Sequence, residues 1–216
     1  EIKIKAPYCL WENPSGIYLK KGETCYVTMS GAGTDPVGLT IKNWVDNETE
    51  TTYSLRNGLN KITAGSDGNV FVNYYTDNYK NAPNVKLHFI NAPVRGYWDQ
   101  QTMTNEDWKK MLGKLKSDNS VIIVRSEHAQ LAYPVSAWKQ HCPTNVDSLM
   151  TLYQQVQWAV RDILGLNKYG RQKKNRQLYY ATTYGFMAAG GHGAYCNVNS
   201  LGAIMTPNSK SFDFWG

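Results

Sequence analysis

The sequence predicts a mixed α+β protein, with an antiparallel, jelly-roll-like β-sandwich over residues 1–95 and an α/β segment over 96–216. Three observations predict it. Short runs with apolar residues at every second position, punctuated by turn dipeptides, fill the first part. After "NAPVRG" at 91–96 the apolar spacing changes to three and four, the period of a helix. Between two such helical stretches lies "SVIIVR" at 120–125, a continuous β-branched run suited to a strand covered on both faces.

Within the first part, "GIYLKKGETCYVTMSG" carries Ile17 and Leu19, then Cys25, Val27 and Met29, in alternation. The same period recurs as Val37, Leu39 and Ile41, as Val70, Val72 and Tyr74, and as Val85, Leu87 and Phe89. Turns are expected at Ser15-Gly16, Lys21-Gly22, Asp35-Pro36, Asn57-Gly58 and Asp67-Gly68. Several short strands so separated form a sandwich or jelly roll.

In the second part Thr104 opens "TNEDWKKMLGKL", whose acidic first turn suits a helix N-terminus. Trp108, Met111, Leu112 and Leu115 then share one face. A second helix is predicted from about Val146 to Leu164, with Leu149, Leu152, Tyr153, Val156, Val160 and Ile163 as its apolar stripe and Gly165 as its cap. "QLYYATTYGFMA" at 177–188 reads as one further strand.

Composition excludes some classes. With 42% hydrophobic and 12% aromatic residues, the chain can fill a core. No apolar run approaches the ~18 residues of a membrane-spanning helix, and "EIKIKAPYCLW" has no signal-peptide core. The net charge is +6, and five of the basic residues lie in "KYGRQKKNR" at 168–176, between a predicted helix and a predicted strand. A solvated basic loop is the expectation there, and nucleic acid is not an expected partner. Cys9, Cys25, Cys142 and Cys196 lack CxxC spacing, which excludes a zinc ribbon; Cys9 and Cys25 flank the first hairpin and could pair if the strands align.

The stretch with the most chemical promise is "AAGGHGAYC" at 188–196. Glycines at a strand end allow a tight turn or the close approach of a ligand to the backbone. It is neither a P-loop nor a dinucleotide fingerprint, because GxxxxGK[ST] and GxGxxG are both missing. His192 and Cys196 are four apart, but no third residue is evident to orient them as a nucleophile pair. His88 is expected to face solvent, His141 to end a helix, and Glu127-His128 to follow the buried strand. No HExxH occurs, so there is no ready zinc site.

The order of features resembles one family. "ENPSGIYLKKGETCYVTMSG" and "LRNGLNKI" are followed by "NEDWKKML", "VIIV" and "VDSLMTLYQQVQWAVRDILGL", and the chain then runs through "YGFMAAGGHGAY" to "FDFWG". Together these are similar to the N-terminal portion of the M60-like (enhancin-like) zinc metallopeptidases. The resemblance implies that the second segment is an incomplete part of a metallopeptidase domain. In that family a segment like "FWG" leads into a helix bearing HExxH, which supplies two zinc imidazoles and a general base, with an acidic ligand further on. It therefore implies no catalytic residue and no metal ligand in this chain, and zinc in a full-length parent. On this view Phe212, Phe214 and Trp215 are a lead-in to further polypeptide and the chain is a fragment. The resemblance also implies glycoprotein partners, mucin-like ones above all, and a secreted or surface location. It places Gly190, Gly191, His192, Gly193 and Tyr195 where a cleft could contact substrate. The competing expectation is a self-sufficient glycan-binding module, with Trp11, Trp44, Tyr74 or Tyr75 stacking on sugar rings.

Overall fold

The computed structural model describes residues 11–45, 48–76, 80–171, 175–190 and 193–206, which form two compact units. Residues 13–43 and 48–96 make the strand-rich unit. Residues 97 onward make the other, joined by Trp11, Glu12, Trp44 and Val45 from the chain's first part.

The strand-rich unit contains β1 (Pro14–Leu19), β2 (Thr24–Ser30), β3 (Val37–Lys42), β4 (Glu50–Leu55), β5 (Gly58–Thr63), β6 (Gly68–Tyr74) and β7 (Lys86–Ile90). Two antiparallel sheets result, ordered β1-β6-β3-β4 and β5-β2-β7. The predicted alternation is what makes this possible. Ile17, Leu19, Leu39, Ile41 and Val70 from one sheet meet Cys25, Val27 and Ile62 from the other in a single buried cluster. Consecutive strands β4 and β5 lie in different sheets, so the Asn57-Gly58 turn carries the chain across the sandwich. Ser15-Gly16 is no turn. It lies inside β1, where the register against β6 shifts between Pro14 and Tyr18, and Ser15 Oγ donates to Val70 O at 2.7 Å. The extra length is absorbed as a bulge. Cys25 is a free, buried thiol of this core, and Cys9 lies outside the described residues.

The second unit is built on a mixed six-stranded sheet. Its elements are β8 (Trp98–Asp99), α1 (Asn105–Lys114), β9 (Val121–Arg125), β10 (Ala129–Pro134), α2 (Val135–His141), α3 (Val146–Ile163), β11 (Gln177–Thr182), β12 (Met187–Gly190), β13 (Gly193–Asn197) and α4 (Gly202–Met205). The strand order is β12-β13-β11-β10-β9-β8. Pairs β8/β9, β10/β11 and β11/β13 are parallel, while β9/β10 and β12/β13 are hairpins.

Helix α1 starts where the sequence indicates. The Thr104 side chain accepts from the Asp107 backbone, and Asp107 in turn accepts from the Thr104 N–H at 2.9 Å, a reciprocal cap. Trp108 and Leu112 are its buried positions. Helix α3 ends in a Schellman turn: Leu166 N–H donates to Arg161 O and Gly165 N–H to Asp162 O, both at 2.8 Å, with Gly165 at φ 70°. The predicted stripe of α3 is only partly covered. Leu149 and Tyr153 are buried and Leu152 and Val156 half-buried, but Val160 is 43% and Ile163 85% exposed. The stripe is continuous in sequence, yet its last two positions are left exposed while Arg161, between them, is the buried residue of the last turn. The predicted strand at 177–188 is likewise two strands, β11 and β12, separated by residues 183–186.

Indoles dominate this interior. Trp108 and Trp138 are both fully buried and meet edge to face, with centroids 5.1 Å apart. Each satisfies its N–H on a backbone carbonyl, Trp108 on Cys142 at 3.0 Å and Trp138 on Tyr133 at 3.1 Å. Burial without an orphaned donor is what makes such large side chains profitable.

Candidate functional site

The glycine-rich stretch folds as the β12–β13 hairpin at one edge of the six-stranded sheet. Gly190 and Gly193 face each other as its last described pair, and Gly191 and His192, between them, lie outside the described residues. A side chain at 193 is impossible without rearrangement. Its φ is 143°, and a Cβ there would sit 2.3 Å from Leu178 O of the neighbouring β11. The glycine thus lets β13 approach β11 closely.

The strand register sorts the hairpin's side chains onto two faces. Tyr195 pairs with Tyr180 on β11 and Ala188 on β12. Its ring lies 5.8 Å from Tyr180 and 5.6 Å from Tyr184, and Tyr180 contacts Trp44, which packs edge-on against Trp11 at 5.5 Å. Tyr195 is half-buried and Tyr184 exposed, so this aromatic row runs from the interior to the surface. Trp11 and Trp44 lie at its buried end, 2% and 1% exposed. Stacking on sugars by these two tryptophans, one part of the alternative expectation, is therefore corrected, whereas Tyr75, named with them, is 52% exposed. Both tryptophans are core residues of the second unit, shielded from any glycan.

A cavity of about 140 Å³ is lined by residues of the opposite face and also by Tyr195. Tyr133, Tyr153 and Cys196 are its buried floor, while Val156 of α3, Met187, Ala194 and Ile204 are half-buried around it. Tyr133 and Tyr153 hydroxyls are 3.0 Å apart, and Tyr153 donates to Ile204 O at 3.1 Å. Gln157 Nε2 donates to the Tyr179 hydroxyl. Burial pushes both floor tyrosines and Tyr179 well into the neutral form, and it raises the Cys196 thiol as well. A thiol held neutral by burial is not poised as a nucleophile.

The remaining sequence candidates sit elsewhere. His88 is exposed on β7, and His141 ends α2, as the sequence indicates. Part of the basic run is not a solvated loop: Arg176 Nη1 pairs with Glu12 Oε2 at 3.0 Å, and its Nε donates to Ser126 O at 2.6 Å. The Arg125–Asp99 ion pair, at 2.7 Å, ties β9 to β8.

Sequence reasoning missed one polar pair. Arg161 of α3 is 7% exposed, and its Nη1 lies 3.1 Å from His128 Nδ1 in the β9–β10 turn. An imidazole that accepts from a guanidinium must be unprotonated at that nitrogen. Burial first, and the Arg161 charge second, depress the His128 pKa. The folded state resists taking up a proton that the unfolded chain accepts near pH 6.5. The stability tied to this group is complete above about pH 6.5 and is lost as pH falls toward the folded pKa. Wild type should therefore lose more Tm between pH 7.5 and 5 than His128→Gln, which keeps an acceptor but does not titrate. A wild-type-minus-variant Tm difference that stays flat across that range would refute the assignment.

Among the described residues no three His, Cys, Asp or Glu side chains converge to hold a metal ion, and none of the described helices is long and apolar enough to cross a membrane.

Comparison with known proteins decides the family. The model of the family described as "Peptidase M60, enhancin and enhancin-like" matches residues 95–216, more than half of the chain. The chain belongs to the M60 family. Solved structures share the M60 fold over nearly all of the chain. A metallopeptidase in complex with Tn antigen superposes with a TM-score of 0.81 at 20% identity, covering 97% of this chain and 40% of that one. A metallopeptidase from Bacteroides thetaiotaomicron gives 0.79 at 21%, covering 92% and 35%. The ZmpB metallopeptidase of Clostridium perfringens gives 0.76 at 16%, covering 94% and 48%. This M60 chain thus spans less than half the length of these structures. No curated protein matches it. The mixed α+β architecture predicted from the sequence is the one found.

Proposed function

We propose that this chain is the strand-rich, non-catalytic portion of a secreted or surface zinc metallopeptidase that acts on mucin-like glycoproteins, with the β12–β13 hairpin beside its cleft. The observation that carries the reading is the M60 match over 95–216, which spans the hairpin. Glycans fit the reading as partners, because one structural neighbour is complexed with Tn antigen and another, from Clostridium perfringens ZmpC, with sialyl T antigen. The 216 residues contain no HExxH. In this reading zinc, which would polarise the scissile carbonyl and activate a water, is held by polypeptide other than these residues. What this chain supplies in this reading is a sheet edge, with Gly190, Gly191, His192, Gly193 and Tyr195 toward substrate.

The test has two arms. The isolated chain, loaded with zinc and dialysed, should retain no stoichiometric metal and leave a Tn-bearing glycopeptide intact. Joined to an HExxH-bearing M60 segment, it should cleave that glycopeptide, and replacing His192 and Tyr195 together by alanine should slow cleavage about tenfold or more, as loss of substrate positioning does. Stoichiometric zinc on the isolated chain would sink the assignment of its role. Unchanged cleavage by the double variant would remove the hairpin from the site.

A further inference from the structure

The cavity on the α3 face of the hairpin has no place in the peptidase reading, and its lining defines a ligand class. None of its described lining residues carries a charge: Tyr133, Tyr153, Tyr179, Tyr195, Val156, Met187, Ala194, Cys196 and Ile204. Bringing an ion into such a lining would cost its hydration with no countercharge to offset it. Hydrogen-bonding capacity is limited as well, to the Tyr195 hydroxyl and what Tyr179 has to spare. Tyr133 and Tyr153 bond each other, and Tyr153 also donates to Ile204 O. Tyr179 accepts from Gln157, which leaves only its own hydroxyl proton for an acceptor. A polar, many-hydroxyl molecule such as a sugar would lose more hydrogen bonds to water than this site returns.

Size and shape narrow the class further. The volume is about 140 Å³. A dry, apolar cavity of roughly 150 Å³ is enough to hold one benzene-sized ring. Tyr153 and Tyr179 already meet at 70° with centroids 4.8 Å apart, the edge-to-face arrangement that a further ring can join. The half-buried residues Val156, Met187, Ala194 and Ile204 lie above a buried floor, so the site has a solvent side through which a ring can enter.

We propose that the cavity between α3 and strands β11 to β13 is a binding site for a single uncharged aromatic ring, whether a free small molecule or a side chain of a polypeptide. Aromatic stacking and exclusion of water hold the ring, and at most one acceptor on it meets the Tyr179 hydroxyl. The proposal rests on the lining alone and shares only Tyr195 with the peptidase reading, so binding of p-cresol tests it whether or not that reading holds.

Titration of the full 216-residue chain with p-cresol, followed by methyl NMR, tests it. Saturable shifts confined to Val156, Met187, Ala194 and Ile204 are expected, with Kd on the order of 0.1–1 mM for so small a ligand. Benzoate, of similar size but charged, should bind at least tenfold more weakly. Val156→Phe, which puts a ring into the space, should abolish the shifts; Ala194→Leu serves the same purpose should the first variant fail to fold. N-acetyl-phenylalaninamide separates the sources. Binding like that of p-cresol marks a polypeptide-borne ring, and its exclusion while p-cresol binds marks a free small molecule. No saturable binding of p-cresol, equal binding of benzoate, or binding that survives in the folded filled variants would overturn the proposal.

Discussion

Replacing Trp138 by alanine should lower the unfolding free energy by about 3–5 kcal/mol, the range for truncating a fully buried aromatic side chain. The indole is 0% exposed, stands edge to face on Trp108 and lies 5.7 Å from the Tyr133 ring. Its removal leaves a cavity bounded by large rings that cannot collapse easily, and it strips the Tyr133 carbonyl of its donor. Denaturant unfolding checks this, with Trp158→Ala as the control. Trp158 is 54% exposed and should change stability by no more than ~0.5 kcal/mol. Comparable losses in the two variants would mean that the Trp108–Trp138 pair is not the packing centre described here.

Gly193→Ala should be the most damaging glycine-to-alanine change among the described residues of the second unit. The backbone there has φ 143°, and the new Cβ would fall 2.3 Å from the Leu178 carbonyl oxygen. That neighbour is backbone, so it cannot swing aside as a flexible side chain would. Strain of about 1–3 kcal/mol at the backbone is joined by an overpacking cost of similar size. The expected result is a loss on the order of 3 kcal/mol, with amide exchange in β12 and β13 accelerated beyond that in β9 and β10. Gly113→Ala gives the comparison, since a Cβ there meets nothing within 4 Å in α1 and should be neutral or slightly stabilising. If Gly193→Ala unfolds no more readily than Gly113→Ala, the close approach of β13 to β11 is wrong.

The two predictions differ in how far the sequence foreshadowed them. Trp108 was visible as a core residue because Met111, Leu112 and Leu115 repeat with it at helical spacing. Trp138 had no such pattern: α2 is a seven-residue helix, too short for a periodicity to declare itself. The glycine stretch was legible as a place where a side chain is not tolerated, but not as a hairpin. Its partner strand β12 was hidden inside an apparently continuous apolar run from 177 to 188.

The site shows the same division. Tyr195 stands out by its neighbours in the sequence, whereas the rest of the cavity lining is drawn from α3, α4 and strands β10 to β13, which no local pattern joins. Arg161 and His128 are 33 residues apart and meet only because the parallel pairing of β10 with β11 brings the β9–β10 turn under the end of α3.

What the sequence determined alone was every feature whose cause lies within a few residues. The alternating strands of the sandwich, the reciprocal cap on α1, the Gly165 ending of α3 and the lack of an HExxH pair are of this kind. Periodicity and caps act through hydrogen bonds and rotamers between near neighbours, so they can be read from a string. Burial cannot. Trp11 and Trp44 are buried although no local pattern in the sequence hides them, and Val160 and Ile163 are exposed although their helical spacing marks them as core. Whether an apolar side chain meets protein or water depends on segments far away in the chain, and that was settled only when the sheet brought them together.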